Sequence, residues 1–181
     1  MTEQDESVNK IDKTMSMAAA NLWGNLLAVP VFVLFGGAYI WRWGLPAEGL
    51  TFTWVELITA VVILMVSIVV HELLHGLGYY LGGARWSQIK FGVKQLTPYA
   101  HCEIPLALNA YRVAVMLPGL ILGVIPAVGG ILMGSGAVTL YGTVMAAAAL
   151  GDALILWLLR DAPPAVKVQD HPSKVGCELL L

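Results

Sequence analysis

Apolar residues in this chain come in long unbroken runs rather than at spaced positions. No Asp, Glu, Lys or Arg occurs from Thr14 to Trp41, Glu72 stands alone from Leu57 to Ala84, and none occurs from Val113 to Gly151. A helix needs roughly 20 mostly apolar residues to cross a hydrocarbon core about 30 Å thick. The first two runs each hold one span, predicted over residues 18–41 and 53–81. The third run holds two, predicted over 110–133 and 137–160, with Gly134, Ser135 and Gly136 as the break. Trp41-Arg42-Trp43 closes the first span with the aromatic and basic residues of a membrane interface. Gly82 and Gly83 close the second, as glycines commonly end helices. Pro118 and Pro126 predict kinks in the third.

Between the second and third spans the period changes. Ile89, Phe91 and Val93 alternate with Gln88, Lys90, Gly92 and Lys94; after a turn signal at Leu96-Thr97-Pro98, Tyr99, His101 and Glu103 alternate with Ala100, Cys102 and Ile104. This predicts a short β-hairpin within 86–105, at the membrane face. Residues 1–15 are expected as a polar, loosely ordered tail and 161–181 as a solvated C-terminal tail, flanking one transmembrane domain over 16–160. The expected fold class is an all-α membrane protein of about four transmembrane helices, with the hairpin between spans two and three.

Composition supports that picture. Of 181 residues, 58% are hydrophobic and 12% charged, where soluble domains average about 25% charged. The net charge of −2 and the lack of a basic patch exclude nucleic acid as a partner. The expected partners are the lipid bilayer and a membrane-protein or peptide substrate; the oligomeric state is left open. The first run is longer than the roughly 7–15 residues of a signal-peptide core, so it is read as a retained span. With four spans both termini share one side, together with Lys10, Lys13, Arg85, Lys90, Lys94, Arg112, Arg160, Lys167 and Lys174; only Arg42 falls opposite. The positive-inside rule makes that side cytoplasmic, so Cys102 and Cys177 are expected as reduced thiols.

The chemistry concentrates in the second span. His71-Glu72-Leu73-Leu74-His75 has the form H-E-x-x-H. Positions i and i+4 share one helix face, so both imidazoles reach one Zn²⁺. Glu72 lies about 100° round the helix, where a base can take a proton from water at the metal. Ionisable residues within a span cost roughly 2.5–3.5 kcal/mol each, so three within one turn call for a metal or a function. A zinc site needs a third protein ligand and an open fourth position. Asp152 is the one acidic residue between Val113 and Arg160. It lies about 12 Å from the end of span four, and His71 and His75 lie about 16 and 10 Å from the end of span two, so the depths agree. Asp152 is the expected third ligand. His101, in the hairpin, is the rival; Glu103 and Asn109 are candidates for orienting substrate or stabilising an oxyanion.

At these residues the chain resembles the site-2 protease class of intramembrane metalloproteases. More narrowly, it is similar to a membrane family described as "putative zincin peptidase". That similarity rests on His71 to Gly76, Cys102 with Pro105, Leu117-Pro118, Gly151-Asp152 and Asp170-His171-Pro172-Ser173-Lys174-Val175-Gly176, and covers residues 71–178. It implies a cytoplasm-facing metal site of His71, His75 and Asp152 with Glu72 catalytic. Site-2 proteases usually carry the third ligand in an Asn-Pro-x-Asp-Gly context, whereas here Gly151-Asp152 has no adjacent Pro. The expected activity is zinc-dependent hydrolysis of peptide bonds in membrane-embedded substrates, with the hairpin offering an edge strand to the unwound segment. Two other classes fit the same residues: a catalytically inactive metal-binding or regulatory protein, and a proton-relay or transport bundle. Zinc content separates the relay from the other two. Four histidines are too few for a di-iron membrane oxidation centre.

Overall fold

The structure, a computed structural model, describes residues 10–45, 53–94, 97–171 and 174–181. Its helices follow the apolar runs. Helix α1 (Met17–Trp43) starts where the Ser16 hydroxyl accepts the Ala19 N–H at 3.2 Å. Helix α2 (Trp54–Leu81) starts at a reciprocal cap: Glu56 N–H donates to the Thr53 hydroxyl, and the Glu56 carboxylate accepts from Thr53 N–H. The third apolar run is α3 (Leu108–Pro118), a π-helical turn over Gly119–Val124, and α4 (Ile125–Met133). The predicted kinks at Pro118 and Pro126 thus take the form of a wide turn placed between them. Proline lacks the N–H that a continuous α-helical ladder needs there.

The fourth run is α5 (Gly136–Ala148) and α6 (Leu150–Leu158), bent by 43° at Ala149. No proline marks this bend. It gives α6 its own N-terminus, with Asp152 in the first turn, where a carboxylate faces the positive end of the helix dipole. Three helical spans among the described residues are long and apolar enough to cross a membrane, or four where the bent pair α5–α6 is counted as one span. They are compatible with a membrane protein.

Small residues bring these helices together. A Cβ on Gly142 would collide with the Ala127 backbone, and one on Gly123 would sit 2.7 Å from Ala146, so α5 packs directly on the third run. The aromatic end of α1 closes the α4–α5 turn: Trp43 Nε1–H donates to the Ile131 carbonyl at 2.8 Å and Tyr39 O–H to the Gly134 carbonyl at 3.1 Å.

Two antiparallel sheets correct the all-α expectation. After a 3₁₀ turn at Trp86–Gln88, β2 (Ile89–Lys94) pairs with β3 (Thr97–Cys102) in the register Ile89↔Cys102 and Phe91↔Ala100. The hairpin forms where alternation predicted it. The first residue of its predicted turn, 96, lies outside the described residues, while Thr97 and Pro98 already belong to β3.

The second sheet was not expected. Strands β1 (Lys10–Met15), β4 (Leu106–Ala107), β5 (Lys167–Asp170) and β6 (Val175–Leu180) form it in the order β1-β6-β5-β4. The segments read as loose tails therefore form strands over 10–15, 167–170 and 175–180. The strands of this sheet are short, two to six residues each, and pairing joins segments far apart in the chain, so no local pattern announces them. Gly176 shows how tight that pairing is. Its φ of +126° suits glycine, and a Cβ there would run into the Lys13 backbone. The sheet covers a core of Leu106, Leu108, Tyr111, Leu159, Val168 and Leu179, all nearly inaccessible. Arg112 joins its parts by donating Nη2–H to the Leu159 carbonyl at 2.5 Å, at the end of α6.

Candidate metal centre

The buried part of α2 carries His71, His75 and Tyr79 at successive intervals of four, hence along one face. Asp152 meets that face from α6. Its Oδ2 lies 3.1 Å from His71 Nε2 and its Oδ1 lies 3.4 Å from His75 Nε2, while the two Nε2 atoms are 3.2 Å apart. One ligand atom from each residue falls within 4.8 Å of the others. Although Oδ2 is close to His71, it is buried and makes no hydrogen bond. An unbonded carboxylate oxygen converging with two imidazole nitrogens fits a cation between them, because such an atom is otherwise costly to bury. Two nitrogens and one oxygen suit Zn²⁺, whose catalytic sites take three protein ligands and a fourth position for water or substrate.

The orientation of His75 has a traceable cause. Its Nδ1 lies 3.0 Å from the Ala114 carbonyl oxygen. In an α-helix that carbonyl would accept from residue 118, which is Pro118 and has no N–H. Gly78 lets α3 come close enough for the contact, since a Cβ there would collide with the Ala114 backbone. With Nδ1–H donated to Ala114, the lone pair of Nε2 points into the cluster.

Glu72 sits beside this cluster on the hairpin side. It is half-buried, lies within reach of the charges of His71, His75 and Asp152, and has the Ala100 backbone of β3 beside it. Gly78 contacts α3, not α6; Gly76 faces the Phe91 ring of the hairpin; and Gly151 has open space around it. An apolar cavity of about 250 Å³ opens between the π-helical turn and the bend, with Asp152 in its wall beside Gly119, Leu120, Ala146 and Ala149.

The other sequence candidates lie apart from the cluster. The His101 ring is 3.6 Å from Asp170, not in the group formed by His71, His75 and Asp152. Glu103 is exposed and 3.8 Å from the Lys90 ammonium. Asn109 is exposed in the first turn of α3. Both cysteines are free and buried, and burial pushes the Cys102 thiol up and the Cys177 thiol up to about 12, so neither is a ready nucleophile.

Sequence reasoning assigned no role to Asp170, Tyr79 or Tyr111, yet they form a second polar cluster: the Asp170 carboxylate accepts from Tyr111 O–H at 2.6 Å and from Tyr79 O–H at 3.4 Å. The available signals were the Asp170-to-Gly176 segment and the spacing of Tyr79, four residues beyond His75.

No curated protein and no solved structure matches the chain. A family model described as "putative zincin peptidase" matches residues 64–167, more than half of it. That stretch includes the H-E-x-x-H helix, the hairpin, the π-helical turn and Asp152. By this match, the chain belongs to the putative zincin peptidase family.

Proposed function

We propose that this protein is a zinc-dependent endopeptidase of the membrane, similar in its working parts to site-2 proteases. His71, His75 and Asp152 hold the metal and Glu72 is the general base. One observation carries the reading. Asp152, from a separate helix, reaches both Nε2 atoms and keeps a buried oxygen without a hydrogen bond. The family's description points the same way.

Zinc, when bound, supplies a Lewis acid and lowers the pKa of water to about 7. The chain's own groups do the rest. The Ala114 carbonyl fixes His75, and the N-terminus of α6 favours Asp152 as a carboxylate. Glu72 takes a proton from the attacking water and delivers it to the departing amine. A helical substrate must unwind first, because its amides are otherwise bonded within its own helix. The extended segment then lies along the hairpin, where the Ala100 N–H beside Glu72 can hold a substrate carbonyl. The basic residues put both termini and the two sheets on the cytoplasmic side.

The test is Glu72→Gln in purified protein. Zinc content should stay at the wild-type level while cleavage of a membrane-protein substrate falls by about 100-fold or more. Unaltered cleavage would overturn the assignment of the base.

A further inference from the structure

A buried carboxylate is costly unless donors surround it, so the groups that satisfy one show what it was placed to hold. Asp170 is on β5, near the end of the chain, and its side chain is 14% exposed. Its Oδ1 accepts from Tyr111 on α3 and Tyr79 on α2, and its Oδ2 accepts the backbone N–H of Cys102 on β3 at 2.9 Å. The neighbouring Gln169 makes a second clasp, donating Nε2–H to the Glu103 carbonyl at 2.9 Å. A single strand thus grips the end of the hairpin through two side chains and ties it to both helices that carry or orient the imidazoles.

Strand periodicity shows what this grip controls. In β3, residues 100 and 102 turn their N–H groups to the same edge. On that edge the Ala100 backbone lies beside Glu72, and the Cys102 N–H donates to the Asp170 carboxylate at 2.9 Å. Tyr79, bonded to Asp170, also stacks on His75, with ring centroids 6.4 Å apart and an interplanar angle of 20°. One face of α2 therefore runs without a gap from Asp152 through His71, His75 and Tyr79 to Asp170.

We propose that Asp170 is a positioning residue that fixes the outer edge of β3 against Glu72, so β5 completes the substrate-holding side of the site. Asp170 touches neither the imidazole pair nor the attacking water. Its effect falls on where the hairpin edge lies. The proposal rests on the peptidase reading only for its kinetic arm; its structural arm stands alone.

The experiment compares zinc-loaded full-length wild type, Asp170→Asn and Tyr111→Phe in detergent, by zinc content, hydrogen exchange and cleavage kinetics. Asp170→Asn should keep wild-type zinc, since the metal cluster is untouched. Exchange at residues 99–102 should speed up about tenfold or more, the size of a lost charge-assisted hydrogen bond, while the helical spans exchange as before. KM should rise about fivefold with kcat within about twofold, the pattern of lost substrate binding rather than lost chemistry. Tyr111→Phe removes one donor and keeps the ring, so it should show the same pattern at about threefold in exchange. If Asp170→Asn does not fold, Tyr111→Phe decides alone. Unchanged exchange at 99–102 in the folded variants overturns the proposal, even where Glu72→Gln has abolished cleavage. Altered exchange together with cleavage that survives Glu72→Gln upholds the proposal and overturns the assignment of Glu72 as base instead; altered exchange with no cleavage by the zinc-loaded wild type upholds it and overturns the peptidase reading.

Discussion

The helical part of the molecule and its sheet end use apolar residues in opposite ways. Along α1 and α2, Leu26, Val33, Val61 and Val62 point outward and are exposed. Around the sheet, Tyr111, Leu159, Val168 and Leu179 are almost wholly buried. Among the helices, close contact falls to Gly123, Gly142 and their alanine neighbours. Burying leucine against leucine gains little where the surroundings are as apolar as leucine, so packing there depends on backbones approaching closely. At the sheet end, removal from water drives packing in the usual way. Helix α2 passes from one regime to the other, with exposed apolar residues at 61–63 and buried His75 and Tyr79 further on. The metal cluster and the Asp170 cluster lie on that buried segment, where polar groups can be held by both regimes.

This contrast can be broken by substitution. Leu159→Ala, in the buried core of the sheet end, should cost about 2–5 kcal/mol, read as a lowered midpoint of thermal unfolding in detergent. Val62→Ala, on the exposed face of α2, should cost less than about 0.5 kcal/mol in the same assay. Equal costs would mean that the two regions are not packed by different rules. The smallest effect belongs to the ion pair joining β1 to the start of β6. The Lys174 ammonium, 2.7 Å from Asp12, holds its carboxyl below the usual carboxylate range. A group whose pKa is lower in the folded protein contributes stability above its unfolded pKa of about 4 and loses that contribution as pH falls through the lower folded value. Asp12→Asn should therefore lower β1 protection from hydrogen exchange slightly at neutral pH and remove the shallow acid-side loss, so that variant and wild type converge in acid. An unaltered acid limb would mean the pair is not formed in solution.

Much of this was legible from residues alone, for physical reasons. A span announces itself by length without charge, which is why α1, α2 and the third run were found within a few residues of their ends. The hairpin was legible because alternation is a local property. Asp152 stood out because an acid in a long uncharged run has few explanations, and the structure brings it to the two imidazoles. The bend at Ala149 was not legible, since no proline or glycine pair announces it. The outer sheet was hidden because Lys10–Met15 and Val175–Leu180 become strands only by pairing with each other from opposite ends of the chain. Pro118 was visible as a kink, but its release of the Ala114 carbonyl to His75 depends on α3 lying against α2, which no local pattern reports. For the same reason Asp170 looked like one charge in a polar tail.

The central claim is that two imidazoles and a carboxylate from separate helices hold one metal ion. Its most direct test is the zinc content of purified wild type beside His71→Ala and Asp152→Ala, each confirmed as folded. The account predicts about one zinc per chain in the wild type and a large loss in both variants. A zinc-free wild type, or an Asp152→Ala protein that keeps its full zinc, would contradict it.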